Sequence, residues 1–250
     1  MLDGDMLKNI ILKVEYDGTN YAGWQKQKNA LTIQEVIEKT IESVTHENCK
    51  VVGSSRTDAG VHARGFVCNF HTDSSIPPLR FKDALNTKLP QDIVILYSDE
   101  VSSDFNSRYD SKGKIYSYRI LNRRERCAID RSYFYLYKKH LNVDLMKKAS
   151  EYLIGEHDFS AFKSAGSSAK TNVRKIYDIK IIRNDDIITF YVKGNGFLYN
   201  MVRIIVGTLI DVGNGKNEPD YVYKALISKN RELAGSVAPA KGLCLEKVIY

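Results

Sequence analysis

The sequence predicts an α/β protein of the α+β kind: two similar domains whose mixed, mainly antiparallel sheets are flanked by helices. Three observations predict it. Strand-like and helix-like segments alternate twice along the 250 residues. The strand candidates are short apolar runs bounded by turn residues, as where residues 9–16 run into Asp17-Gly18. With 43% hydrophobic residues, the chain can bury a sizeable core, as one large domain or two modest ones.

Each element has its own warrant. Residues 9–16 read as a strand, with Val14 and Tyr16 leading into the turn. Thr32-Ile33-Gln34-Glu35 has the form of a capping box, and Ile33, Val36, Ile37, Ile41 and Val44 follow at helical spacing. Val51-Val52 and residues 66–70 supply two more strands, residues 79–88 a short helix and residues 93–97 an apolar strand. The second half repeats this layout: a strand at 114–121, a helix at 143–154, strands at 176–182 and 187–193, helices at 198–211 and 221–228, and a terminal strand at 243–249. The domain cut falls near 105–109, giving domains 1–106 and 107–250. Residues 164–170 are small and lack apolar anchors, so they read as a mobile loop.

Composition narrows the function. A net charge of +7 suits a polyanionic partner. Cys49, Cys68, Cys127 and Cys244 lie far apart, without a CxxC pair or metal-ligand spacing, as expected of reduced thiols in a cytoplasmic protein. The opening residues are acidic and lack the apolar core of a signal peptide. The best candidate membrane span, residues 197–210, is interrupted by Asn200 and Arg203.

Four features carry candidate chemistry. In Ser55-Arg56-Thr57-Asp58-Ala59-Gly60-Val61-His62, Asp58 sits on a short loop entering the strand Gly65–Phe70, where a scaffold can present a functional side chain. In an apolar cleft, Arg56 or another cation would keep that carboxylate ionised and nucleophilic, although turns also use Asp for local backbone bonds. Between Arg108 and Arg131, basic residues including Lys112, Lys114, Arg119 and Arg124 outnumber the acids and are interleaved with Tyr109, Tyr116 and Tyr118. Basic groups neutralise phosphates while aromatic faces stack on unpaired bases, a grammar of RNA binding that an ordinary solvated surface also satisfies. Leu198, Met201, Val202, Ile205, Val206 and Leu209 form an apolar helical face that Arg203 borders. Leaving such a guanidinium unpaired would cost roughly 3–5 kcal/mol, so a carboxylate partner is expected, whether catalytic or structural. Tyr116 shares a strand face with Tyr118 and could offer its ring to a base or simply join the core.

These residues match a known pattern. Arg-Thr-Asp-Ala-Gly-Val-His at 56–62, Lys-x-Tyr-x-Tyr at 114–118 and Phe-x-x-x-Met-Val-Arg-x-x-Val-Gly at 197–207 resemble the tRNA pseudouridine synthase A family. So do Tyr16-Asp17-Gly18-Thr19, Tyr21-Ala22-Gly23-Trp24-Gln25 and the terminal Gly242-Leu243-Cys244-Leu245. The matches fall in family order and cover nearly the whole chain. Ser55 departs from the pattern, standing where the family usually has Gly. The resemblance implies a pseudouridine synthase fold with ferredoxin-like halves, a homodimer, and a basic cleft between the two domains. It implies isomerisation of uridine to pseudouridine in the tRNA anticodon arm, with no metal and no organic cofactor. Asp58, Tyr116 and Arg203 would be the catalytic residues. The target base must leave its stack, and Arg56 is placed to fill the vacated space. The RNA-contacting set would be Arg56, Phe105, Arg108, Tyr109, Arg124 and the loop comprising Lys163, Gly166, Ser167, Ser168, Ala169 and Lys170.

Other classes fit less well. A metal-dependent nuclease or phosphatase needs clustered carboxylates, and Asp58 with His62 is a poor metal set. A non-catalytic tRNA-binding protein would keep the basic stretch but have no use for Asp58. A synthase acting on a different RNA is the remaining alternative.

Overall fold

The strands and helices take the places that the apolar periodicity assigns. The computed structural model describes residues 7–166 and 169–250. They fall into two compact units, one running to Ser111 and including 245–250, the other spanning 112–244. This division lies beyond the cut expected after residue 106, and the end of the terminal strand returns to the first unit instead of closing the second. No local signal in the chain announces such a return, because a strand's partner is set by tertiary pairing.

In the first unit, β1 (Lys8–Tyr16) lies between β3 (His62–Thr72) and β4 (Ile93–Val101), antiparallel to both. The two-residue β2 (Val52–Gly53) pairs with the far side of β3. Along β1, Ile10, Leu12, Val14 and Tyr16 are buried at every second position, as a strand with one face on a core requires. Helix α1 (Ile33–Thr45) covers that core with Ile33, Ile37 and Ile41, and the short α2 (Phe81–Asn86) adds Phe81, edge-on to Phe70 at 5.5 Å. Only half of the expected capping box forms. The Thr32 hydroxyl accepts from the Glu35 amide at 3.4 Å, while the Glu35 carboxylate pairs forward with Lys39 at 2.7 Å.

The second unit is built on β5 (Gly113–Leu121), β9 (Ile187–Gly194), β8 (Val173–Asn184) and β7 (Gly155–Asp158), hydrogen-bonded in that order and antiparallel. The short β6 (Tyr135–Leu136) pairs parallel with β5 and makes the sheet mixed. Helices α3 (Val143–Ser150), α4 (Met201–Gly213) and α5 (Tyr221–Ser228) bury Met146, most of α4's side chains, and Val222. The mainly antiparallel α/β class expected from sequence is thus the one observed. Strands β6 and β7 were not anticipated, since Tyr135–Leu136 and Gly155–Asp158 are too short for a period to register. The chain closes with β10 (Leu243–Ile249), which follows β3 in the first unit's order.

A buried polar network fixes one functional segment of the first unit. Asn69, in the middle of β3, donates to Asn9 Oδ1 at 2.9 Å and to the Phe105 carbonyl at 3.3 Å, and accepts from the Ser107 amide at 3.0 Å. Asn9 donates to the carbonyls of Ser102 and Phe105, both at 2.9 Å, and the Ser107 hydroxyl donates to Val52 at 2.7 Å. Asn69→Ala therefore orphans a buried amide in a site without room for bulk water. Urea unfolding should show a loss of about 2–3 kcal/mol, against about 1 for an ordinary hydrogen bond, and tRNA affinity should fall with it because residues 105–109 lose their anchor.

Candidate active site

The loop carrying Asp58 is clamped by the turn that follows β1. The Trp24 amide donates to the Thr57 carbonyl at 3.0 Å, the Gly60 amide to the Tyr21 carbonyl at 3.3 Å, and the Tyr16 and Thr57 hydroxyls bond at 2.8 Å. Asp58's own carbonyl accepts from the Val61 amide at 3.1 Å, closing a tight turn in which Gly60 takes φ 76°. Contact is close enough to exclude side chains. A Cβ on Gly23, at φ +90°, would stand 2.4 Å from the Thr57 carbonyl oxygen, and one on Gly18 would stand 2.0 Å from that of Val61. Behind the loop, Trp24 stacks on Phe66 with centroids 3.9 Å apart. The backbone is thereby fixed on a rigid aromatic bed while Asp58 stays half-exposed and Arg56 exposed.

His62, buried at the start of β3, belongs to the same clamp. Its Nδ1 lies 3.1 Å from the Gly18 amide and 3.0 Å from Asp17 Oδ1. One nitrogen cannot both accept from the amide and donate to the carboxylate, so the two contacts correspond to alternative protonation states of the ring. Ser55, the departure from the family pattern, has a hydroxyl that is shielded from solvent and lacks a hydrogen-bond partner among the described residues.

In the second unit, Tyr116 is buried in the middle of β5, edge-on to Phe197 at 5.3 Å and 88°. Its strand neighbour Tyr118 is fully buried and donates to the Pro239 carbonyl at 2.8 Å. Burial raises the Tyr118 phenol well above its ordinary pKa, with the Arg203 charge pulling the other way. Arg203, on the first turns of α4, donates through Nε to the Ala238 carbonyl and through Nη1 to Asn200 Oδ1, each at 2.7 Å. Asn200 precedes the helix in the left-handed region at φ 60° and donates through Nδ2 to the Ser164 hydroxyl at 2.9 Å. The Ser164 amide in turn donates to the Tyr199 carbonyl at 3.1 Å. The residue expected to need an anion is thus also wired, through neutral groups, to the root of the 163–170 loop. Sequence reading missed Asn200, although an Asn directly before an apolar helix is a position where positive φ is common.

The expected RNA-contacting residues divide between the two units. In the first, Phe105 packs on Tyr250 at 5.2 Å, Tyr109 is strongly exposed, and the Arg108 guanidinium lies 5.8 Å from the Tyr109 ring. The Asn106 side-chain oxygen accepts from the amides of Arg108 and Tyr109 at 3.0 and 3.3 Å, so this segment is held in shape and does not trail as a loose strap. In the second unit, Arg124 and Lys170 are exposed. Lys163 is partly committed: its ammonium donates to Asn172 Oδ1 at 2.8 Å, in a chain running on through Ser160 to Asp158. Gly166 takes φ +82° with open space around it. Ser167 and Ser168 lie outside the described residues, and Ala169 is half-buried. Among the described residues, no three His, Cys, Asp or Glu side chains cluster as metal ligands, and no helix is long and apolar enough to cross a membrane.

A lone carboxylate on a clamped loop, with a strand tyrosine and a helix arginine in the companion unit, provides the parts of an RNA-modifying isomerase. The family model described as tRNA pseudouridine synthase matches residues 13–110 and 149–250, and the chain belongs to that family, whose members isomerise uridine in tRNA to pseudouridine. It is 57% identical over 244 residues to tRNA pseudouridine synthase A of Clostridium acetobutylicum, covering 98% of this chain and 100% of that one. With the same coverage it is 54% identical to tRNA pseudouridine synthase A of Clostridium kluyveri. The Thermoanaerobacter pseudethanolicus protein of that name is 51% identical, again over 98% of this chain and 100% of that one.

The glycine clamp makes a direct prediction. Gly23→Ala forces the turn away from Thr57 and adds positive-φ strain of about 1–2 kcal/mol. Urea unfolding should register that modest cost, while pseudouridine formation falls at least tenfold at saturating tRNA, since a shift of about 1 Å in a reacting group costs up to 10²-fold.

Proposed function

We propose that this chain converts uridine to pseudouridine in the tRNA anticodon stem-loop, with Asp58 as nucleophile. The observation that carries this reading is the placement of Asp58: a backbone pinned through Thr57 and Gly60, and a side chain left partly open to solvent. A reacting group needs that combination, whereas an Asp serving only its turn does not. The reaction breaks the bond from N1 of the base to C1′ of the ribose and joins C5 to C1′. The C5 proton is lost, N1 gains one, and atoms and charge balance without redox chemistry or a metal. A carboxylate serves by attacking the sugar or the base.

The other assignments rest on the family resemblance and on the local geometry. Arg203 is the cation that keeps Asp58 ionised. Its Ala238 and Asn200 bonds orient the guanidinium without neutralising it. Tyr116, steadied by Phe197, supplies a ring for the extruded base, and the exposed Arg56 fills the gap left in the stack. Arg108, Tyr109 and Arg124, together with Phe105 and the Lys163–Lys170 loop (Gly166, Ser167, Ser168 and Ala169 included), hold the backbone. The enzyme acts as a homodimer in the cytoplasm.

Asp58→Asn keeps the shape of the side chain and removes its charge. tRNA binding should survive while tritium release from 5-³H-uridine-labelled tRNA disappears; appreciable turnover in a preparation free of host enzyme would sink the assignment. Arg203→Leu should reduce turnover by roughly 10²-fold or more, the scale of an uncompensated charge of about 3 kcal/mol. Wild-type turnover from that variant would remove Arg203 from the reaction.

A further inference from the structure

At the end of β5 furthest from Tyr116, the second unit has a pocket of about 860 Å³ that none of the proposed chemistry uses. Its wall carries Arg123, Arg124, Lys138, Lys139 and Arg183, with Asn122 and His140 beside them and no carboxylate among the lining residues. Only Arg123 is paired, with Asp186 at 3.4 Å. Among the described residues, no acid forms an ion pair with the other four cations.

Arg183 is held in place. Its Nη2 donates to Asn122 Oδ1 at 2.8 Å and to the Leu141 carbonyl at 3.0 Å. Asn122 is itself fixed, donating to the carbonyls of Tyr137 and Lys139 at 2.9 and 2.7 Å and receiving its own position from its amide bond to Asp186 at 2.7 Å. Both tethers of Arg183 are neutral oxygens, so the full positive charge remains available. Its Nε and Nη1 retain three N–H groups without a partner among the described residues. A folded domain gathers four unneutralised cations in one concavity at the cost of their mutual repulsion, and an oxyanion placed among them reverses that cost. A guanidinium fork with neighbouring ammonium groups suits a phosphate in particular.

We infer that this pocket binds a backbone phosphate of the RNA substrate, at Lys138, Lys139 and Arg183, outside the set assigned to the reacting nucleotide. The reading rests on the proposed tRNA substrate and extends its footprint. From Tyr116 to Asn122, β5 advances roughly 20 Å at about 3.3 Å per residue. That span is several nucleotide steps, so the bound phosphate belongs to a flanking stretch of the RNA and not to the extruded uridine. The contact is with phosphate alone and carries no sequence information.

The test uses the whole protein with Lys138→Gln and Lys139→Gln combined, and a second variant with both changed to Arg. tRNA affinity is measured from low to moderate salt, with pseudouridine formation followed in parallel. The Gln pair should weaken binding about tenfold at low salt and reduce the salt slope by about two, one per lost phosphate contact, whereas the Arg pair should match wild type in both. Unchanged affinity and slope in the Gln pair, beside a wild-type enzyme that binds and modifies tRNA, would overturn the inference. Equal losses in the Gln and Arg pairs would also overturn it, by showing that local structure and not charge was disturbed. If inorganic phosphate raises the melting temperature of wild type but not of the Gln pair while tRNA binding is unaffected, the site takes a free anion and the RNA assignment fails. A wild-type protein that neither binds nor modifies tRNA would sink the functional reading itself, and this inference with it.

Discussion

Everything the enzyme does with Asp58 depends on how closely two stretches of backbone approach. The turn after β1 lies so near the Asp58 loop that a single β-carbon at Gly18 or Gly23 would fall inside the van der Waals radius of a carbonyl oxygen. With no side chain between them, main-chain amides and carbonyls bond directly, and the loop inherits the rigidity of a sheet without being part of one. A reacting carboxylate must meet a particular atom of an extruded nucleotide. Positional error there is costlier than the modest entropy that glycine forfeits on folding. Tyr16 and His62 reinforce the same join from the strands on either side.

Arg203 shows a second way of fixing a group. Its helix is apolar on nearly every side, and a guanidinium there must have its donors satisfied or pay for desolvation. The chain meets this with a backbone carbonyl and an asparagine in place of a structural carboxylate at Nε and Nη1. The asparagine then bonds Ser164, so the helix start, the arginine and the root of the 163–170 loop move together. A substitution at Asn200 would disturb catalysis and RNA binding at once, although Asn200 is not among the residues assigned to either.

Much of this was legible in the sequence, for reasons that can be named. The strands around residues 9–16 and 187–193, the helices starting at Ile33, Val143 and Tyr221, and the motif residues were readable because period-two and period-3.6 patterns and short fixed spacings are local properties. What was not legible is tertiary. Asn69 sits in an apolar run and reads as an ordinary strand position, yet its side chain organises a segment far along the chain. Gly23 looks like a turn residue, and only the loop packed against it shows why no other residue fits. Lys163 reads as a free cation until Asn172 folds back onto its ammonium. The return of the last strand to the first unit has no local signature at all.

The two arginines of the second unit that matter most are tethered alike. Arg203 is held by Asn200 and the Ala238 carbonyl, Arg183 by Asn122 and the Leu141 carbonyl. In each case one asparagine oxygen and one backbone oxygen aim the guanidinium. Neither tether carries charge. An aspartate in place of either asparagine would hold the side chain as firmly, but it would cancel the field that an incoming anion feels. Neutral tethers therefore separate two jobs that an ion pair combines, positioning a cation and compensating it. An enzyme that must attract a polyanion while holding its reacting groups still needs those jobs kept apart. The excess of positive charge is thus arranged partly as fixed instruments and partly as solvated lysines, and the fixed ones set where along the RNA the loosely held ones can act.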